Sequence, residues 1–355
     1  MPEKYETLRT AFGQSWVKPS RVDSFLDVDA IVFDCDGVLV DASQSYDATT
    51  IKVVDGLVRE LLGAKLSWDE FGPALILQLR RTGLFNNDWD TTYALTMFSA
   101  LALCKPGLTL GTNITSRIQS MINEFTASLK EVAPGDVAVN RYLRRAMSSS
   151  SEDYQISKIQ GILGYPGSPP RSFMAAVFDE TYHGPRLYEQ MYGTTARYYR
   201  GEGLIEKERI LVERKDLDSL NALLGKGRLA IVTGRPFLPA KHVLKSILDC
   251  FNPRASIFLG DIDRGSFSPL RKPSGQALVR AYKTLRSAMM LYVGDSTEDI
   301  MMVENASAEI SVLSVGVYGT SLDKMGQVRL FRNRGVDLIL PTARSLSTVL
   351  RLFKK

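Results

Sequence analysis

The chain lacks any long apolar run. No stretch of its 355 residues approaches the ~20 consecutive apolar positions of a membrane helix. The N-terminal MPEKYETLRT is charged and has no apolar core of the kind a secretory leader carries. These absences imply a cytoplasmic chain with no membrane partner. Cysteine is scarce. Cys35, Cys104 and Cys250 are too few for a disulfide framework and are not spaced as a metal site. Histidine is scarcer still. With only His183 and His242, a three-histidine zinc centre is excluded and a serine–histidine triad has few candidates. Charge of one sign is also in short supply. The 44 basic residues barely outnumber the 39 acidic ones, and the excess is spread along the chain. Such a weak positive field suits anionic small molecules, and no nucleic-acid partner is implied. There is no internal repeat and no low-complexity tract.

What the chain does contain is a series of short, continuously apolar segments bounded by Gly, Pro or Asp. They are residues 30–35 (AIVFDC), 228–233 (RLAIVT), 255–260 (ASIFLG), 289–294 (MMLYVG), 310–317 (ISVLSVGV) and 336–340 (VDLIL). Continuous rather than alternating apolarity is expected of strands covered on both faces. Helix-length stretches at 236–249, 274–286, 296–304 and 343–354 fall among and after them. Strand alternating with helix predicts an α/β fold built on a doubly wound parallel sheet, with ligands at the carboxyl ends of its strands. Residues 44–205 read differently. Ile51, Val54, Val58 and Leu61 share one helical face, as do Ile114, Ile118, Met121, Phe125 and Leu129. The sequence therefore predicts a mostly helical domain at 44–205 inserted into an α/β core of 24–43 and 206–355. Residues 1–23 form an N-terminal extension without a legible role.

Several predicted strands end in a chemically capable residue. Asp34 and Asp36 close the first, Thr233 ends the second and Asp295 follows the fourth, while Lys272 precedes a helix. A buried strand tip is a costly place for charge unless ions or hydrogen bonds compensate it. Each residue alone could cap a helix or close a turn, as Ser296 is expected to do. Taken as a set, Asp34, Asp295 and Asp299, with a backbone carbonyl at Asp36, are hard oxygen ligands suited to Mg²⁺. A carboxylate can also attack phosphorus to give an aspartyl-phosphate. Asp36, two residues on along an extended segment, faces the same side as Asp34 and can carry the proton. Cys35 between them reads as a small buried filler.

In their order, DCDGVLVD, IVTGR, RKPSG and GDSTEDI resemble the four motifs of the haloacid dehalogenase (HAD) superfamily. The likeness covers residues 30–41 and 228–317. It implies a HAD-type Rossmann-like core with a type-1 helical cap inserted after the first motif. It also implies a Mg²⁺-dependent phosphatase of the subfamily IA kind, acting on a small phosphorylated metabolite as a monomer or homodimer. By the same resemblance Asp34 is the nucleophile and Asp36 the acid/base. Thr233 and Lys272 hold the phosphoryl group, and Asp295 holds the metal with Asp299 in support. Gly234 and Arg235 lie beside Thr233 and extend the expected substrate contacts, although Arg235 could equally pair with an acid on the sheet edge. Asn86 and Asn87, in GLFNNDWDTTYAL, are expected in a substrate-reading loop, against the alternative of a turn that opens a helix at Trp89. A phosphomutase shares these motifs. A phospho-accepting receiver module shares the Asp, hydroxyl and Lys but lacks the second Asp and the large insertion. A dehalogenase would need no Mg²⁺.

Overall fold

The computed structural model describes residues 4–85, 87–104, 114–129, 135–147, 149–262 and 269–354. The chain divides into two compact units, Met1–Ser43 with Lys207–Lys355, and Gln44–Glu206.

The first unit is built on strands β1 (Glu6–Thr10), β2 (Gly13–Val17), β3 (Ala30–Phe33), β4 (Val40–Asp41), β5 (Arg209–Ile210), β6 (Leu229–Thr233), β7 (Ile257–Phe258), β8 (Met290–Gly294), β9 (Val312–Val317) and β10 (Leu338–Leu340). Eight of them form one sheet in the order β1-β2-β10-β9-β8-β3-β6-β7. From β10 to β7 every neighbouring pair is parallel. The registers place Phe33, the last residue of β3, beside Ile231 and Val293, and β6 and β8 run on to Thr233 and Gly294. Every residue of β3, β6 and β8 is buried, which is why these segments read as unbroken apolar runs. Val32, Val232 and Tyr292 share a core with Ala277, Leu278 and Ala281 of helix Gln276–Leu285 and with Met302 and Val303 of helix Thr297–Ala306. Each buried Val, Leu or Met side chain of this set contributes about 1.5–3 kcal/mol by leaving water.

Two sequence expectations shift at their ends. The segment read as strand 255–260 is extended only at Ile257–Phe258 and turns helical over Leu259–Ile262. The chain is pinned there against a neighbouring turn. A Cβ on Gly260 would stand 2.7 Å from the Gly234 carbonyl oxygen and from the Pro236 ring. The helix expected over 236–249 is α-helical only from Phe237 to Leu244, because Lys245 takes a positive φ of 50° and the rest tightens to a 3₁₀ turn. The 1–23 extension supplies the β1–β2 hairpin, which pairs antiparallel with β10 through Val17 and Leu338 and buries Trp16 against Val328, Phe331 and Ile339.

The second unit is helical. Helix Asp88–Cys104 is buried on every side from Asp90 to Ala102, as a central helix must be when it shows no polar face. Helices Tyr46–Leu62, Ile114–Ser128, Gly135–Ala146 and Ser150–Leu163 pack on it. Helix Phe173–Tyr192 breaks at Gly184, whose φ of 73° precedes Pro185.

Candidate active site

The carboxyl edge of the parallel sheet gathers the predicted residues of the core. Asp34 leaves β3 with its N–H donating to the Val293 carbonyl at 2.8 Å, so its position is locked to β8. It is only 6% exposed. Lys272 Nζ stands 3.0 Å from Asp34 Oδ1 and 2.6 Å from Asp299 Oδ1, and so links the first and last motifs. Asp34, Asp295 and Asp299 each offer an oxygen, all within 4.8 Å of one another.

The electrostatics follow from this crowding. Burial pushes the Asp34 carboxyl up to about 7. Lys272 works against that shift, while Asp299 and Asp36 add to it. Burial likewise holds Asp295 well above the carboxylate range, with Asp299 and Asp34 reinforcing it. Burial is the largest influence on Asp299 and would raise it too, but the Lys272 charge and hydrogen bonds from Lys272, Ser296 and Tyr292 together outweigh it. Asp299 is therefore held below its ordinary value. Burial would lower Lys272, yet Asp299 and Asp34 keep it well above an ordinary lysine, and it remains a cation.

The three acids do not play equal parts. Both oxygens of Asp299 are already engaged. Oδ1 accepts from Lys272 and from the Tyr292 hydroxyl at 2.8 Å, and Oδ2 accepts from Ser296 Oγ at 2.7 Å and from the N–H groups of Asp295 and Ser296. Ser296 caps helix Thr297–Ala306 as expected, and Asp299 completes its capping box. Asp295 carries no hydrogen bond on its carboxylate among the described residues, and buried Asp34 Oδ1 has no hydrogen-bond partner of good geometry. The oxygens least engaged are thus those of Asp34 and Asp295, and a donor set of three carboxylates so close together suits a hard divalent cation. The Asp36 carboxylate stands outside this trio. Gly37 makes the approach possible. Its φ is +73°, and a Cβ there would lie 1.8 Å from Asp295 Oδ2.

Thr233 ends β6, is buried, and its hydroxyl accepts from the Arg235 N–H at 3.3 Å. Gly234 is exposed, with open space where a Cβ would project. Arg235 is where sequence left two readings, and the structure takes the second. Its guanidinium is fully buried and pairs with Glu208 and Asp36 instead of facing outward. Asn87 likewise takes the helix-opening role. Its Oδ1 accepts from the Trp89 N–H at 3.0 Å, and Asp88 pairs with Arg80. Asn86 lies outside the described residues. Sequence reasoning missed Glu208 and Tyr292. Glu208 sits in an unremarkable charged stretch, and Tyr292 reads as one more apolar strand residue.

The profile of the haloacid dehalogenase-like hydrolases matches residues 28–307. The chain belongs to this family. That HAD-like hydrolase assignment covers the whole β3-to-β8 span that carries the site. An X-ray structure from the Northeast Structural Genomics Consortium (target ZR25) shares the fold at a TM-score of 0.58 and 18% identity, over 91% of this chain and 98% of that one. Phosphatase Tt82 from Thermococcus thioreducens aligns at a TM-score of 0.49 and 24% identity, over 81% of this HAD-like hydrolase and 92% of that chain. No curated protein sequence matches it significantly.

Proposed function

We propose that this HAD-like hydrolase is a Mg²⁺-dependent phosphatase of small phosphorylated metabolites that works through an aspartyl-phosphate at Asp34. The observation that carries the reading is the buried Asp34 carboxylate at a strand tip, 3.0 Å from Lys272 and grouped with Asp295 and Asp299. A carboxylate so placed is oriented, desolvated and partly neutralised, as a nucleophile toward phosphorus needs to be.

In the first step an Asp34 oxygen bonds to phosphorus as the bond to the ester oxygen breaks, and Asp36 gives its proton to that leaving oxygen. In the second, water attacks the same phosphorus and surrenders a proton to Asp36, and the bond to Asp34 breaks to release phosphate. Lys272 and the Thr233 hydroxyl supply fixed charge and a hydrogen bond to the phosphoryl oxygens. Asp299 keeps Lys272 aimed, and Tyr292 keeps Asp299 in place. Asp34 and Asp295 would hold Mg²⁺, which when bound neutralises phosphoryl charge. The unit Gln44–Glu206 follows the first motif in the chain, the point at which the family resemblance implies a cap, and we assign substrate choice to it. The test is phosphate release from p-nitrophenyl phosphate. Turnover should vanish in EDTA and in Asp34→Asn, and turnover surviving either treatment would count against the reading.

A further inference from the structure

Arg235 does not meet the solvent edge of the site, so another task must account for a buried guanidinium there. Its Nη1 donates to Glu208 Oε2 at 2.7 Å and its Nη2 to Glu208 Oε1 at 3.1 Å. On its other side Nη2 contacts Asp36 Oδ1 and Nε lies 3.4 Å from Asp36 Oδ2. The Arg235 and Glu208 side chains are each 0% exposed, whereas the Asp36 side chain keeps 31% exposure. Of the three groups, only Asp36 can meet a ligand.

Each member is anchored on a different stretch of backbone. Arg235 follows the end of β6, where its N–H is tied to Thr233. Glu208 immediately precedes β5, which pairs with β4 through Val40 and Ile210 and is held further by the Leu211 N–H on the Leu39 carbonyl. Asp36 itself bridges to Val40. An aspartate on a turn has two free side-chain torsions. A forked donor fixes both its direction and the plane of its carboxylate, which a point charge cannot do.

We propose that Arg235, braced by Glu208, is a positioning residue that aims the Asp36 carboxyl at the oxygen it protonates. This deepens the phosphatase reading and rests on it. A proton carrier must stand within hydrogen-bond reach of the reacting oxygen, and a displacement of about 1 Å can cost roughly a hundredfold in rate. The clamp should therefore matter most where the leaving oxygen most needs a proton. A receptor for a substrate anion would behave otherwise and weaken the binding of every ester alike.

The test compares p-nitrophenyl phosphate with phenyl phosphate, which differ little in shape while phenoxide is the more basic leaving group. Wild type, Arg235→Lys, Glu208→Gln and the reference Asp36→Asn are each measured on both esters. The expected result is that kcat/KM, which reports the ester-cleaving step alone, falls at least about tenfold more on phenyl phosphate than on p-nitrophenyl phosphate in Arg235→Lys and Glu208→Gln, as in Asp36→Asn. Equal losses of kcat/KM on the two esters would overturn the proposal and leave the phosphatase reading standing. A wild-type protein that hydrolyses neither ester would sink both. If Arg235→Lys does not fold, Glu208→Gln decides alone. If neither folds, the pair is purely structural and the proposal falls.

Discussion

The Asp34 carboxyl should make the metal-free protein less stable as pH rises. Burial lifts it from 3.8 to about 7 in the folded chain. Between those values the native state keeps a proton that the unfolded chain has lost, so stability falls with increasing pH. Each pH unit in that window costs about 1.4 kcal/mol, and the two units from pH 5 to 7 cost about 3 kcal/mol. Above pH 7 both states are ionised and the penalty stops growing. Asp295, raised by burial in the same direction, adds to the slope. Asp299, held below its ordinary value, and Lys272, held above its own, do not change charge in this window and add nothing. Asp34→Asn removes the group that titrates while preserving its shape. Urea unfolding in EDTA at pH 5 and pH 8 reads the difference directly. Wild type should lose about 3 kcal/mol more than Asp34→Asn over that interval. Parallel pH dependences, or a wild type more stable at pH 8, would refute the view that a buried carboxyl, only partly offset by Lys272, dominates the site.

Three further outcomes follow from the same geometry. Mg²⁺ at pH 8 should raise the wild-type melting temperature, with a stabilisation of about 4 kcal/mol at a thousandfold excess over Kd. Asp295→Asn should lose most of that gain, and an undiminished shift would place the metal elsewhere. Gly37→Ala places a Cβ where Asp295 Oδ2 lies and forces a side chain into left-handed backbone, at about 1–2 kcal/mol. It should depress both the Mg²⁺ shift and phosphate release, whereas wild-type values for both would contradict the packing described. Tyr292→Phe removes a buried hydroxyl that stands 2.8 Å from Asp299 Oδ1 and should cost about 1–3 kcal/mol in denaturant unfolding. A neutral result would mean that the phenol does not brace Asp299.

The sequence makes the central sheet and its strand tips legible for one physical reason. Strands buried on both faces have no choice but to be apolar, so Asp34, Thr233 and Asp295 stand out as interruptions. The exposed elements leave no such trace. β1, ETLRT, is largely exposed and reads as polar chain until its pairing with β2 is seen. Helix Arg214–Leu224 buries only Leu217 and Leu220, and helix Lys324–Asn333 only Val328 and Phe331, too few apolar positions to mark a face. Within the site, residue type was readable but partnership was not. GDSTEDI holds three acids, Asp295, Glu298 and Asp299, yet only the geometry separates Asp295, whose carboxylate is open, from Asp299, which is spent on Lys272, Tyr292 and Ser296. Arg235 is the sharper case. A guanidinium beside a phosphoryl-binding threonine invites a ligand-facing role, and it took Glu208, 27 residues away in sequence, to claim it instead.

The central claim is that Asp34 carries the phosphoryl group. Rapid acid quenching during turnover of p-nitrophenyl phosphate, followed by peptide mapping by mass spectrometry, tests it directly. The account predicts a phosphorylated peptide with the modification on Asp34, absent in Asp34→Asn and accumulating in Asp36→Asn, where the water-attack step lacks its base. Phosphate release with no phosphorylated Asp34 at any time, or phosphorylation mapped to another residue, would contradict it.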